Sequence, residues 1–231
     1  MLYTVGMSNI ITSLQIQQKD KTRVNVFLDE QFAFGVGIDI AANLHKGQPL
    51  SAAEIEQLQQ TDERGRAYNK ALYYLGFRPR SRAEIEKYLT EKEHSADVIE
   101  HVVQRLIDQK YLDDESFARM WVDQRERFRP TSARALRFEL RQKGVDRNVI
   151  DEVVEEVDDE AAAWAALEPK VSRWQSLEQV DFIKKATGFL ARRGFGYDVT
   201  RRVCKRAWAL IAEGQSPIDD ELLDQADDDT E

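Results

Sequence analysis

The pattern of apolar and polar positions changes period once along the chain. Ile10 to Ile16, Val24 to Leu28 and Phe32 to Val36 alternate apolar with polar residues, with Lys19-Asp20-Lys21 before the second run and Asp29-Glu30-Gln31 before the third. Alternation at period two lays one face of a strand on a core, and such runs joined by turn residues predict hairpins. A three-stranded meander with one apolar face is expected. From Ile38 the period becomes helical. Ile38 to Leu44 predicts a short helix ended by His45-Lys46-Gly47, and Ser51-Ala52-Ala53-Glu54 is a capping box that opens a helix toward Gln60. Thr61-Asp62-Glu63-Arg64-Gly65 reads as a linker, and a new helix starts near Arg66 with Ala67, Ala71 and Leu75 on its apolar side.

The rest is a helical pattern that repeats. Ile85/Leu89 match Leu136/Leu140 at an offset of 51, and Leu140 matches Leu190 at an offset of 50. Val98, Val102 and Val103 match Val149, Val153 and Val154, and then Val199, Val203 and Cys204. Lys92-Glu93, Lys143-Gly144 and Arg193-Gly194 end the corresponding helices; Gly suits the left-handed position past a helix end, and Glu93 departs from that pattern. Each copy reads as three helices, too small for a stable core alone, so three in tandem predict nine helices in an elongated body. Pro169 inside the first helix of the third copy predicts a kink or an early end. The expected fold class is mainly α: three tandem three-helix repeats behind a small β-rich N-terminal domain. The expected boundaries are 1–62 for that domain with its following helix, then 63–110, 111–158 and 159–212 for the repeats, and 213–231 for an acidic tail whose composition predicts disorder.

The middle copy is the densest in chemistry. Asp113 and Asp114 suit the start of a helix whose Phe117, Trp121 and Phe128 share one narrow face, read as a core stripe, with Arg125 and Arg129 on its shoulder. Pro130 stops that helix. Thr131 and Ser132 can cap the next, which runs from about Ser132 to Lys143. On it Leu136 and Leu140 face the core. Arg134, Arg137 and Arg141 face away, with Phe138 beside them. A row of arginines next to an exposed aromatic can neutralise phosphates and stack on bases, while the bland alternative is a solvated face. The repeat weighs against the bland alternative: Ala83, Glu86 and Thr90 stand at these positions in the first copy, and Lys184, Thr187 and Ala191 in the third. The scaffold itself therefore does not demand arginine there. Arg201, Arg202 and Lys205, with Arg192 and Arg193 nearby, form a second basic face, and both faces are expected to line one groove.

Charge supports a local rather than a global basic partner surface. The net charge of −9 divides into −4 over residues 1–63, +4 over 64–212 and −9 over 213–231, whereas Ala118 to Arg147 alone carries +5. Local potential, not the sum, steers partners. A single cysteine, Cys204, rules out an internal disulfide, reads as a small core residue and suits a reducing cytoplasm. No run approaches the roughly 18 apolar residues of a membrane span, and the start lacks the features of a secretory signal; Met7 offers a second start. His45, His94 and His101 are scattered without a metal-ligand pattern, Asp113-Asp114 is explained by capping, and there is no GxxxxGK[ST] phosphate loop. No enzymatic chemistry, cofactor or metal is expected.

The motif Lys110-Tyr111-Leu112-Asp113-Asp114-Glu115-Ser116-Phe117-Ala118, then Trp121-Val122, Arg125, Arg129-Pro130, Leu136, Glu139-Leu140 and Lys143-Gly144 resembles the RecX regulatory-protein family. Pro79-Arg80-Ser81, Glu84-Ile85 and Tyr88-Leu89 fit it upstream. Longer members share a strand–turn–strand region before the helices, often with Gly in the hairpin turn where Glu30 stands here. The resemblance implies three-helix tandem repeats and a cytoplasmic bacterial protein that binds the RecA recombinase filament on DNA and modulates it, mostly by inhibition. The candidate RecA- and DNA-contacting residues are Arg80, Arg82, Arg125, Arg129, Arg134, Arg137, Arg141, Lys143, Lys184, Arg201, Arg202 and Lys205. The expected partners are that filament and single- and double-stranded DNA, bound by a monomer with no membrane association. A sequence-tolerant DNA-binding protein and a helical interaction scaffold are the alternatives.

Overall fold

The computed structural model describes residues 9–215. These residues fall into two compact units that divide between Asp113 and Asp114. The first unit opens with strands β1 (Asn9–Ile16), β2 (Arg23–Leu28) and β3 (Gln31–Gly37), a short helix α1 (Ile38–Ala41) and a two-residue strand β4 (Pro49–Leu50). They make one antiparallel sheet in the order β3-β2-β1-β4. The meander is therefore present, and the sequence reading missed only β4, which is too short to show a period. The β2–β3 turn holds two residues, Asp29 and Glu30, both with positive φ (48° and 68°). This is the twist that matches a hairpin and that usually calls for Asn-Gly. The Thr12 hydroxyl accepts from the Glu30 N–H at 2.9 Å and gives that strained turn a partner from the neighbouring strand.

Val24, Val26 and Leu28 alternate inward, as their spacing predicts, and pack with Ile11, Phe34 and Val36 beneath Ile55 and Leu58. Those last two residues belong to α2 (Ala52–Leu75), capped by Ser51 and Glu54 in the expected box. Here the structure corrects the sequence reading. Thr61–Gly65 is not a linker, and the expected boundary at 62/63 falls inside one uninterrupted helix of 24 residues. The cause is tertiary. Asp62 is buried at 5 % exposure. It accepts from both Nη atoms of Arg23 at 3.1 and 2.9 Å and from the Gly37 N–H at 2.8 Å, while Arg66 pairs with it at 3.0 Å. A polar residue that reads as loop is thus the bolt between sheet and helix. The C-terminal half of α2 turns Ala67 and Ala71 to a different core, shared with α3 (Arg82–Glu91) and α4 (Ala96–Asp108).

The second unit holds two further three-helix sets. Helices α5 (Asp114–Phe128), α6 (Ala133–Gln142) and α7 (Arg147–Glu155) close over Phe117, Leu136, Leu140, Ile150 and Val153. Helices α8 (Asp159–Trp174), α9 (Gln179–Ala191) and α10 (Tyr197–Gln215) close over Leu167, Phe182, Leu190 and Val203. Helix α8 runs through Pro169 to Trp174, so the expected early end does not occur. Cys204 is buried in the third core, and burial pushes its thiol pKa up. Phe128 is a correction: it is 81 % exposed and not part of a core stripe. It is the last residue of the 15-residue α5. The acidic segment lies, from Ser216 onward, outside the described residues, as does the Met1/Met7 question. Among the described residues no helix is long and apolar enough to cross a membrane.

Candidate nucleic-acid interface

The site is built on α6, and its local fold explains its display. Ser132 caps the helix by accepting from the Ala135 N–H at 3.2 Å, and Gly144, with φ 74°, ends it. Leu136 and Leu140 are fully buried. At 100° per residue that fixes Arg134, Phe138 and Arg141 on the opposite side. All three are exposed, Phe138 by 60 %. Neither Arg134 nor Arg141 has an ion-pair partner among the described residues. They line a depression of about 430 Å³ whose other walls are Ala135, Phe138, Ala191, Gly194 and Phe195, so the third repeat completes a site begun by the second.

The junction of these repeats is held closely. The Arg193 guanidinium donates to the Pro130 carbonyl at 2.9 Å and stacks on Phe189 at 4.6 Å, while its own carbonyl accepts from the Ser132 N–H at 3.1 Å. Ala133 N–H donates to Asp159 at 2.6 Å. A Cβ on Gly194 would lie 2.6 Å from the Ser132 hydroxyl and 2.9 Å from Ala135 Cβ, so only glycine admits this approach. Burial and the charge of Arg129 both lower the Arg193 pKa, which marks Arg129 and Arg193 as neighbouring like charges. In the sequence Arg193 looks like one more surface cation. The only available signal was Gly194, whose spacing gave the turn but not the neighbour across it.

The other predicted site residues divide by what holds them. Arg125 is bound within the repeat: its Nε donates to Glu139 at 2.7 Å, its guanidinium lies 4.7 Å from the centre of the Trp121 ring, and Trp121 Nε1 donates to the same carboxylate at 2.8 Å. Trp121 is half-buried, so its expected core role is shared with this polar network. Arg137 reaches Asp151 at 3.4 Å, Arg202 reaches Glu160 at 2.7 Å, and Lys143 lies over the Trp121 ring at 5.1 Å. Arg129, Lys184, Arg201 and Lys205 are exposed. The expected single groove is not what forms. Arg201 and Lys205 line a separate cleft with Ile183, Tyr197, Thr200 and Trp208, and it shares no residue with the Arg134–Arg141 depression. In the first unit, Arg80 stacks on Tyr74 at 3.8 Å and Arg82 pairs with Glu86 at 2.6 Å. Among the described residues no group of three or more His, Cys, Asp or Glu side chains is arranged to hold a metal ion.

What this arrangement can do is bind anions and planar groups. Two unpaired guanidinium groups flank an exposed phenyl ring, and guanidinium matches phosphate in a bidentate fork while the ring offers a stacking surface.

Three family models match the chain. They are the N-terminal domain of regulatory protein RecX over residues 9–51, the first RecX three-helix domain over 67–106 and the second over 113–154. The regulatory protein RecX of Bacillus subtilis (strain 168) is 34 % identical over 194 residues, covering 82 % of this chain and 74 % of that protein. That of Listeria monocytogenes serotype 4a (strain HCC23) is 38 % identical over 153 residues, covering 65 % of this chain but only 57 % of the relative's length. A crystal structure of regulatory protein RecX superimposes with a TM-score of 0.64 at 25 % identity, over 84 % of this chain and 98 % of the other. The crystal structure of RecX from Lactobacillus salivarius shares the fold, with a TM-score of 0.57 at 23 % identity over 64 % of this chain and 97 % of the other. A relative more than 30 % identical across most of both chains, with family domains falling on the sheet and on two of the three repeats, shows that this chain belongs to the RecX regulatory-protein family.

Proposed function

We propose that this protein is a non-catalytic regulator that binds the RecA–DNA filament and restrains the recombinase. The observation that carries the reading is the face of α6: Arg134 and Arg141 stand unpaired on either side of the exposed Phe138. Equivalent helices in the flanking repeats keep a buried apolar pair, Ile85/Leu89 and Ala186/Leu190, and lack the arginines. Such a face suits a phosphate backbone with accessible bases, or an acidic protein surface next to one. A filament of recombinase on single-stranded DNA presents both.

The test is the single-stranded-DNA-dependent ATPase of RecA, titrated with the protein and with its Arg134→Glu, Arg141→Glu variant. Arg137 is left intact because it pairs with Asp151 and its loss would confound folding with binding. Inhibition below one regulator per recombinase subunit, weakened in the variant, is the expected outcome. No inhibition by the unaltered protein, with salt-dependent DNA binding retained, would favour a sequence-tolerant DNA-binding protein and overturn the filament reading.

A further inference from the structure

The first unit contains a second basic concavity that the α6 reading does not use. A cleft of about 700 Å³ lies between the N-terminal sheet and the helices of the first repeat. Its walls are the start of β2, the Gly37–Ile40 corner, the middle of α2 and one turn of α4, where His101 and Arg105 stand. Five cationic side chains border it, against the carboxylates of Asp20, Asp39 and Asp62. Two of those carboxylates are already committed. Asp62 is shared by Arg23 and Arg66 at 2.9 and 3.0 Å. Asp20 accepts from the Thr22 N–H and hydroxyl at 2.9 and 2.6 Å. Arg64, Lys70 and Arg105 have no carboxylate partner among the described residues.

Each of these three is held in a way that leaves its charge available. Lys70 Nζ lies 3.2 Å from His94 Nε2, and desolvation with the charge of Lys70 lowers the His94 pKa, so the acceptor is a neutral ring. Arg105 lies 4.0 Å over the Tyr68 ring, which positions the guanidinium without neutralising it. Arg64 Nε is buried and has no hydrogen-bond partner among the described residues. The rest of the Arg64 side chain is only partly buried and lines the cleft. Gly65 is the independent sign. It sits in the interior of α2, where glycine weakens a helix, and a Cβ there would meet nothing within 4 Å. No packing contact within the protein accounts for it. It lines the cleft, so the missing side chain widens the space in front of the cations.

We propose that this cleft is a phosphate site, taking a multiply charged phosphate borne by a nucleoside triphosphate or by a nucleic-acid backbone. Cations gathered in a concave surface focus potential, and guanidinium forks recognise phosphate oxygens in pairs. The proposal is independent of the α6 reading and of any recombinase.

The experiment uses the full chain. Binding of tripolyphosphate, adenosine triphosphate and a short single-stranded oligonucleotide is measured by calorimetry for the unaltered protein, for Arg64→Gln with Arg105→Gln, for Gly65→Ala, and for Arg134→Glu with Arg141→Glu. Loss of two charge-assisted contacts in the first variant weakens tripolyphosphate about tenfold or more. Gly65→Ala raises the melting temperature through helix propensity yet weakens the same ligand, a combination that a merely structural glycine cannot give. Any tripolyphosphate held by the α6 face is lost in the Arg134/Arg141 variant, and the binding that remains in it and disappears with Arg64 and Arg105 belongs to the cleft, so failure of the α6 reading leaves this one standing. Competition between triphosphate and oligonucleotide assigns the phosphate to a polynucleotide backbone, and independent binding assigns it to a free nucleotide. Equal binding by the unaltered protein and the Arg64/Arg105 variant, or no tripolyphosphate binding into the millimolar range, overturns the proposal.

Discussion

Helices α3 and α6 occupy the same place in successive repeats, and their differences separate scaffold from surface. Both are ten residues long, both are capped by a buried serine, and both bury an apolar pair, Ile85/Leu89 and Leu136/Leu140. Both end in the same backbone turn. His94 N–H donates to the Leu89 carbonyl at 3.2 Å and Val145 N–H to the Leu140 carbonyl at 3.2 Å, with Glu93 and Gly144 left-handed between them. The third repeat repeats this turn with Phe195 and Leu190 at 3.3 Å. What differs is the outer face. Helix α3 carries Ala83, Glu86 and Thr90, and Glu86 is paired with Arg82 at 2.6 Å. Helix α6 carries three arginines there, two of them unpaired. Constant interior and variable exterior are what a repeated structural unit with one specialised copy should show.

If the interiors are equivalent, they should fail alike. Leu89→Ala, Leu140→Ala and Leu190→Ala, each at a fully buried site, should cost about 2–5 kcal/mol apiece in urea unfolding. A much smaller loss at one of them would mean that its repeat is not packed like the others. If the exteriors are not equivalent, charge removal should distinguish them. Arg134→Ala with Arg141→Ala should lower the magnitude of the salt slope for single-stranded DNA by about 1.4, at about 0.7 per phosphate contact. Removing Arg82 should change it little, since that side chain is already paired. Equal changes in both variants would return α6 to an ordinary solvated face.

The turns give a smaller and sharper contrast. Glu93 adopts φ 62° where Gly144 and Gly194 adopt 74° and 86°. A side chain in that region costs on the order of 1 kcal/mol relative to glycine. Glu93→Gly should therefore stabilise the protein by about that amount, and Gly144→Ala should destabilise it similarly. Gly194→Ala should cost more than Gly144→Ala, because its Cβ would also strike Ser132 and Ala135. Equal losses would show that the junction of the second and third repeats yields to the added atom.

What was legible in the sequence follows from the range of the interactions involved. Caps, leucine pairs and helix-ending glycines act within a few residues, so Ser81, Ser132, Leu136, Leu140 and Gly144 could be placed from spacing alone. The turn at Glu93 keeps the same geometry despite its residue, because the flanking backbone bonds over-determine it. Asp62 could not be read: its partners Arg23 and Gly37 lie 39 and 25 residues away, and without them its segment looks like a linker. Of the site, residue types and outward direction were legible and pairing was not. Arg125 looks like Arg134 in the sequence, yet Glu139, 14 residues on, neutralises only the former. The cleft of the first unit draws on four separate segments and leaves no local signature.

His94 is where the comparison of turns becomes a prediction about pH. Its counterparts Val145 and Phe195 are buried apolar residues, each 5 % exposed, and the His94 side chain is also 5 % exposed. An imidazole in an apolar slot is favoured neutral. Desolvation is the main cause of its lowered pKa, followed by the charge of Lys70, while Glu63 at 3.5 Å, which opposes it, does not offset them. With Nε2 facing the Lys70 ammonium, Nδ1 carries the proton and points to Glu63. The sign follows from linkage. As pH falls through 6.5, the ordinary histidine value, the unfolded chain takes up a proton that the folded protein refuses, so the folded state loses stability over the interval down to the lowered pKa. Above 6.5 the group contributes no pH dependence. Urea midpoints of the unaltered protein and of His94→Val, compared from pH 7.5 to 5, should shift relative to each other in favour of valine as pH falls, because valine removes the one group in this slot that titrates there. A constant difference across that range would mean that His94 accepts its proton in the folded state and that Glu63, not burial, sets its charge.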